Sequence, residues 1–351
     1  MKKKLLVSLC AVSMIASLTA CGSKEAATEA PAETPAETSQ AEEAAETTAE
    51  EAPAAESAES YTVGICQLVQ HPALDAATEG FKAALTEKLG DNITFEENNA
   101  AGDSATCSVI CNQLVTDGVD LILANATPAL QAAMSATADT PILGTSVTDY
   151  GTAFGVDNFA GTSGTNVSGT SDLAPLDGQA DMLHELFPEA KKVGILYCSS
   201  EANSIYQAET ITPYLENYGY EVTTYTFSDS NDVSSVTGTA CNEVDVLYIP
   251  TDNTAASCAE AINNVAIEAG KPIVAGEEGI CSGCGVATLS ISYYDLGYKT
   301  GEMAYEILVN GADISAMEVA YAPTFTKEYN VAICEKLGIE VPSDYVAIAT
   351  E

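Results

Sequence analysis

The sequence predicts an α/β fold of two similar lobes, each a parallel β-sheet flanked by helices, with a ligand cleft between them. Three observations predict it. From residue 61 onward, apolar strand-like runs alternate with segments of helical spacing, a pattern that builds parallel sheets through right-handed crossovers. The alternation starts afresh near residue 176, after a stretch rich in Gly, Ser and Thr (161–172). The chain has 351 residues, 46% of them hydrophobic, and a mean hydropathy of +0.08, enough for two cores of ordinary size.

The first half opens on YTVGICQ (61–67), a buried-strand run. HPALDAATEGFKAALTEKLG (71–90) carries helical apolar spacing and stops at Gly90. NITFEEN (92–98) reads as a strand, 103–117 as a helix, and DLILA (120–124) as a strand. A helix follows over 127–137, with Thr127 as its N-cap and Pro128 at its first helical position. PILGT (141–145) reads as a strand. The second half reads as a helix near 176–187, the strand KVGILYC (192–198), a helix over 201–218 ending at Gly219, and the strand EVTTYTF (221–227). Next come a helix near 230–241, the strand VDVLYIP (244–250), a helix over 253–269, and the strands PIVAG (272–276) and VATLSIS (286–292). A helix over 293–311, a strand near 317–321 and a terminal helix over 327–337 complete the pattern.

The first sixty residues belong to another class. MKKKLLVSLCAVSMIASLTA (1–20) has a basic start and a short apolar run, the form of a secretory signal. The run ends in Leu18-Thr19-Ala20-Cys21, which resembles the lipobox of bacterial lipoproteins, where the Cys is lipidated and becomes the first mature residue. Residues 22–60 hold eleven Glu, one Lys and no aromatic residue. Such a segment cannot bury enough surface to fold. Residues 21–60 are expected to form a lipidated Cys21 followed by a disordered acidic tether, spanning roughly 35 Å as a flexible coil.

Charge excludes whole classes of function. Asp and Glu number 51 against 12 basic residues, all of them Lys, for a formal net charge of −39. Nucleic-acid binding needs clustered basic residues and is excluded, and the same balance argues against docking on anionic lipid by charge. Only His71 and His184 are present, so there is no His-rich metal site. No P-loop, G-x-S-x-G or H-E-x-x-H motif occurs. The expectation is therefore a binding protein with no catalytic residue, no metal and no cofactor, an enzyme being the rival of a different class.

Ligands bind outside the carboxyl ends of strands in such folds, and the strand-to-helix turns here carry the polar residues. They include Gln67 and His71 after the first strand, Asn125 and Thr127 after the third, and Ser146, Thr148 and Asp149 after the fourth. In the second half they are Glu201, Asn203 and Ser204, then Asp252 and Asn253, then Glu277. A zwitterionic amino acid suits this rim. Asp252, Asp149, Asp172 or Asp295 offer acceptors for its ammonium. No Arg exists for its carboxylate, which leaves hydroxyls such as Thr127, Ser146, Thr148 and Ser204 together with helix N-termini. Tyr293 and Tyr294 offer aromatic packing. The same groups suit a polyol or a nucleoside, so residue types leave the ligand open.

Seven segments carry a resemblance: HPALDA (71–76), ATPA (126–129), SVTDY (146–150), NVSGTSD (166–172), EANS (201–204), PTDNT (250–254) and YYDLGYKTGEMA (293–304). In this order they resemble the tryptophan/tyrosine-type ABC-transporter substrate-binding proteins, over nearly all of 61–345. The resemblance implies a type I periplasmic-binding-protein fold of two Rossmann-like lobes joined by three crossovers. Lobe 1 would be 61–173 with 291–322, and lobe 2 would be 174–290 with 323–351. It also implies capture of a small amino acid-like solute, often aromatic, for delivery to an ABC permease and its ATPase. A lipid anchor at Cys21 would place the protein on the outer face of the cell membrane. A sensor module signalling to a receptor partner remains an alternative. One departure is that the family commonly has Asp-Pro where this chain has Asp149-Tyr150, which puts the loop's shape and the ligand's size in question.

Eleven Cys are present, nine of them beyond Cys10 and Cys21. Cys107 and Cys111 are spaced for one helix face, and Cys281-Ser282-Gly283-Cys284 is a C-x-x-C. The readings are a redox pair, a Cys281–Cys284 disulfide, a four-thiolate zinc site or small buried apolar residues.

Overall fold

A computed structural model describes residues 59–348. The expected export signal (1–20), Cys21 and all but the last two residues of the expected acidic tether lie outside the described residues.

The first half is built from β1 (Tyr61–Gln67), α1 (Pro72–Leu89), β2 (Ile93–Asn99), α2 (Ser104–Asp117), β3 (Leu121–Asn125), α3 (Thr127–Ala136), β4 (Ile142–Val147), α4 (Tyr150–Phe154) and β5 (Val167–Ser171). The second half runs α5 (Leu176–Leu186), β6 (Lys192–Cys198), α6 (Ala202–Asn217), β7 (Glu221–Phe227), α7 (Val233–Glu243), β8 (Val246–Ile249), α8 (Asn253–Ser257), α9 (Ala259–Glu268), β9 (Ile273–Ala275), α10 (Glu278–Cys284) and β10 (Ala287–Ser290). The chain ends in α11 (Tyr293–Leu308), β11 (Ala320–Tyr321), β12 (Thr326–Tyr329), α12 (Val331–Leu337) and β13 (Val346–Ala347).

Two sheets result. The first has the order β11-β5-β4-β3-β1-β2 and the second β13-β12-β10-β9-β8-β6-β7. Stripped of the late strands, both follow the same 2-1-3-4-5 order, so the repeat in the sequence is a repeat in topology. Each sheet is covered on both faces by apolar clusters, as parallel strands require. The chain passes between the sheets three times: between Ser171 and Leu176, between Ser290 and Tyr293, and between Tyr321 and Thr326. Helices α1 and α11 pack so closely that glycine is needed. A Cβ on Gly297 would stand 1.9 Å from the Ala77 carbonyl oxygen, and one on Gly80 would stand 2.0 Å from that of Tyr294.

The structure corrects several expectations. The Gly/Ser/Thr join contains β5, whose five residues VSGTS are all buried despite their polarity. Residues 326–329 are a strand antiparallel to β10, so helix α12 begins only at Val331 and the second sheet is mixed. The helix expected over 253–269 is two helices, broken at Cys258. Thr127 is the first residue of α3 rather than its cap. Ala126 holds the N-cap at φ 94° and makes no side-chain cap. Cys281 and Cys284 are free buried thiols one turn apart in α10, not a disulfide. Cys107 and Cys111 lie in α2, against the other sheet, where both contact the Cys66 thiol. The two pairs do not meet in one four-thiolate site.

Candidate ligand-binding site

The carboxyl ends of both sheets carry the buried polar residues. At the first sheet, Gln67 ends β1 and is consumed by its own lobe. Its Nε2 donates to Asp75 Oδ1 (2.6 Å) and to the Val69 carbonyl (3.0 Å), and its Oε1 accepts from Thr78 (2.7 Å). Asn125 ends β3 and donates to the Leu74 carbonyl (2.8 Å) and to Thr78 Oγ1 (2.9 Å), tying β3 to α1. Two strained residues follow on adjacent strands. Ala126 turns the chain into α3, and Ser146, at φ 54°, sits where the β4–β5 register shifts between Gly144 and Val147. A bulge of this kind re-aims one side chain at a sheet edge, and left-handed non-glycine residues mark clamps and sites.

Beyond β5, Asp172 accepts a hydrogen bond from the Tyr293 hydroxyl at its Oδ2 (3.0 Å), and the Thr148 hydroxyl lies nearby. Burial raises this carboxyl to about 6, with both hydroxyls holding it down. Asp172 and Tyr293 are 3% and 4% exposed.

The second sheet edge is a denser network. Glu201 precedes α6 and accepts from the Asn253 amide (3.0 Å) and Asn253 Nδ2 (2.6 Å) at Oε2, and from the Thr254 amide (2.8 Å) and hydroxyl (2.7 Å) at Oε1. Asn203 donates to Glu201, Ser204 and the Thr251 carbonyl. Asp252 is saturated by the Cys198 amide, Ser204 Oγ and the Ala255 amide, each at 2.7 Å. Burial and the neighbouring Glu201 charge push its carboxyl up. Glu277 caps α10 through the Gly279 and Ile280 amides, and burial raises it to about 7. The lobes meet where His71 Nε2 stands 3.3 Å from Asn253 Oδ1.

Eight buried side-chain polar atoms have no protein partner among the described residues. Six of them line these two edges: His71 Nδ1, Asn125 Oδ1, Thr127 Oγ1, Ser146 Oγ, Asp172 Oδ1 and Asn203 Oδ1. Buried polar atoms are nearly always bonded, so this clustering marks the place where a polar ligand would complete the set.

Three residues expected here stand apart. Asp149 is half-buried and caps α4 through the Thr152 amide (2.6 Å). Tyr294, 40% exposed, and Asp295, also exposed, lie on the outer face of α11. The spacing of α11 contains this answer. Tyr293, Leu296, Gly297, Thr300 and Gly301 share its buried face, and the next residues along do not. Gln207 was missed by the sequence reading. It grips Thr251 through both its oxygen and its nitrogen, from mid-helix, where no turn marks it.

Tyr150, the departure from the family's usual proline, takes the first position of α4, where proline is also accepted. Its ring points away from the cleft into the core and stacks with Phe159. Its hydroxyl donates to the carbonyls of Gly144 (3.1 Å) and Thr170 (3.3 Å). Gly144 and Gly169 make room for it, since a Cβ on either would stand 2.5 Å or 2.3 Å from the hydroxyl oxygen.

Comparison with known proteins agrees with this architecture. A protein of Clostridioides difficile described as a tyrosine-binding protein is 41% identical over 256 residues, covering 72% of this chain and 74% of its own. An ABC domain from Streptococcus pneumoniae in complex with L-Trp is 32% identical, covers 81% of this chain and 97% of its own, and superposes with a TM-score of 0.77. A ligand-free, open substrate-binding protein with adhesive properties from Clostridium difficile is 39% identical, covers 83% and 100%, and superposes at 0.63. The more identical structure thus superposes less well, in keeping with lobes that touch here. Residues 62–351 match the family described as ABC transporter substrate binding protein. With that match along nearly all of the described residues, and two lobes of the type I periplasmic-binding fold around a polar cleft, the chain belongs to the ABC transporter substrate-binding protein family.

Proposed function

We propose that this protein captures an aromatic amino acid between its lobes and, as a Cys21-anchored lipoprotein on the outer face of the cell membrane, delivers it to an ABC permease and its ATPase. The carrying observation is the set of unpartnered buried atoms, because their chemistry matches a zwitterion. Asp172 Oδ1 is a free carboxylate oxygen for an ammonium. Thr127 and Ser146 hydroxyls and the start of α3, which no side chain caps, are donors for a carboxylate in a chain without arginine. The relatives described as binding tyrosine and holding L-Trp favour an aromatic side chain. The signal-like residues 1–20, the lipobox-like Leu18-Thr19-Ala20-Cys21 and the acidic tether favour an anchored, extracytoplasmic protein.

Ligand would enter with the lobes apart and stabilise the closed arrangement by its higher affinity for it. A thermal-shift screen against amino acids, nucleosides and sugars tests the ligand class. Tyrosine or tryptophan at one hundred times its dissociation constant should add about 2.7 kcal/mol and raise the Tm by several degrees. A response to sugars or nucleosides alone would replace the ligand. In cells, Cys21→Ser should release the protein from the membrane fraction and lower uptake of the labelled amino acid; retention in the membrane would remove the anchor.

A further inference from the structure

Among the contacts between the two lobes is a side-chain pair, His71 and Asn253, whose hydrogen-bond direction can be worked out. Glu201 is an acceptor at both oxygens. Its Oε2 takes the Asn253 Nδ2 hydrogen at 2.6 Å, while the Asn253 backbone amide donates to the same oxygen. A flipped Asn253 would set its carbonyl oxygen against a carboxylate, so the amide orientation is fixed. Asn253 Oδ1 therefore faces His71, and His71 Nε2, 3.3 Å away, must be the donor. A neutral imidazole carries one N–H, which leaves Nδ1 as a bare acceptor. That nitrogen is buried and has no protein partner.

Burial pushes His71 down from its ordinary value of 6.5, while Asn253, Glu201 and Asp75 act the other way. The ring is thus neutral at pH 7, and Nδ1 requires a hydrogen from elsewhere.

We propose that His71 Nδ1 accepts a hydrogen bond from the side chain of the bound amino acid, so that the cleft selects aromatic residues with an O–H or N–H donor, tyrosine and tryptophan, over phenylalanine. The inference rests on the aromatic amino-acid reading of the cleft. Asp172 and His71 lie at opposite flanks of the first sheet edge. β5 and β1 are separated by β4 and β3, three strand spacings or about 14 Å. A ligand held by its ammonium at Asp172 has its side chain free to run toward the β1–α1 turn. Phenylalanine there would leave the nitrogen buried and unpaired, and sites built to satisfy such a group reject the analogue that lacks it.

Calorimetry with tyrosine, tryptophan and phenylalanine tests this, on the wild type and on His71→Leu. The wild type should prefer tyrosine over phenylalanine on the order of tenfold to a hundredfold, and His71→Leu should bring the ratio to within about threefold. Because the chain has only two histidines, nitrogen NMR of labelled histidine gives a readout that needs no variant. The His71 Nδ1 resonance should shift as for a hydrogen-bonded acceptor with tyrosine and not with phenylalanine, and His184, stacked on Tyr218, should stay still. Equal wild-type affinities, or a His71→Leu loss equal for all three ligands, would overturn the selectivity and leave the aromatic reading standing. Binding of none of the three would remove both.

Discussion

Burial raises the Asp172 carboxyl to about 6 while the Tyr293 and Thr148 hydroxyls hold it down, so near pH 6 it carries about half its charge. An ammonium at its free Oδ1 would favour the ionised form. Binding in the window from about pH 5 to 7 should then release protons, and affinity should rise with pH across it. Neutral His71 acts in the same sense, since its lowered pKa makes protonation below 6.5 costly in the closed form. Calorimetry at pH 6 in buffers of different ionisation enthalpy reads the proton count; net uptake would contradict the pairing. Asp172→Asn keeps the shape and removes the charge. Losing one partner of a buried charged pair costs about 2–5 kcal/mol, so affinity should fall at least about thirtyfold, and a change below threefold would take Asp172 out of the amine site. The sequence placed Asp252 and Glu201 after strand ends and Asp172 at the end of the Gly/Ser/Thr-rich join, but could not tell the three apart. What separates them is how many donors already point at each oxygen, and those donors come from residues up to 121 positions away.

Elements are legible where a hydrophobic period runs long enough to see. β1, β6 and β7 have the ends read from the sequence, and α11 begins where it was read and ends three residues early. β5 gave no such signal, because VSGTS is buried through its neighbours rather than through its own apolarity: Thr170 is hydrogen-bonded to Thr145 (3.3 Å) and Thr300 (2.8 Å). α4 and α10, at 5 and 7 residues, are too short for a helical period. β12, TKEY, is a polar strand paired antiparallel to β10 and open to a short parallel β13 on its other side. The α1–α11 seam was also hidden, since Gly297 and Gly80 read as ordinary glycines until two backbones meet there. Gly297→Ala would force its methyl against the Ala77 carbonyl oxygen at 1.9 Å. Backbone cannot yield as a side-chain tip can, and overpacking of this kind costs about 1–3 kcal/mol. The Tm should drop by roughly 3–10 °C, measured by calorimetry without ligand; a drop under 1 °C would mean the helices separate freely.

The whole molecule was the most legible level, because a pattern that restarts halfway is visible without knowing any contact, and the common 2-1-3-4-5 strand order follows from it. What no local pattern foretold is that folding buries several carboxyls of an already acidic chain with no cation beside them. Asp172 rises to about 6 and Glu277 to about 7, in both cases chiefly through burial. A carboxyl whose folded pKa is raised adds stability that is complete below its unfolded value, 3.8 for Asp172 and 4.5 for Glu277, and is lost as pH rises through the folded value. Each shift of two units or more corresponds to roughly 3 kcal/mol at 1.36 kcal/mol per unit, of which about half is recovered between pH 8 and 5 for Asp172 and about three-quarters for Glu277. His71 opposes this, its lowered pKa removing stability as pH falls below 6.5, but burial pushes Asp252 up as well, and falling pH also relieves the self-repulsion of a chain at −39. The acids prevail, so the ligand-free protein should melt several degrees higher at pH 5 than at pH 8. Saturating amino acid should narrow that gap, because a bound ammonium stabilises ionised Asp172 at pH 8 and has less charge to meet at pH 5. Melting curves at the two pH values, with and without ligand, check both parts. A ligand-free Tm that falls toward pH 5 would show that these carboxyls are ionised and paired in the folded protein, and a ligand effect equal at both pH values would place the ammonium elsewhere than Asp172.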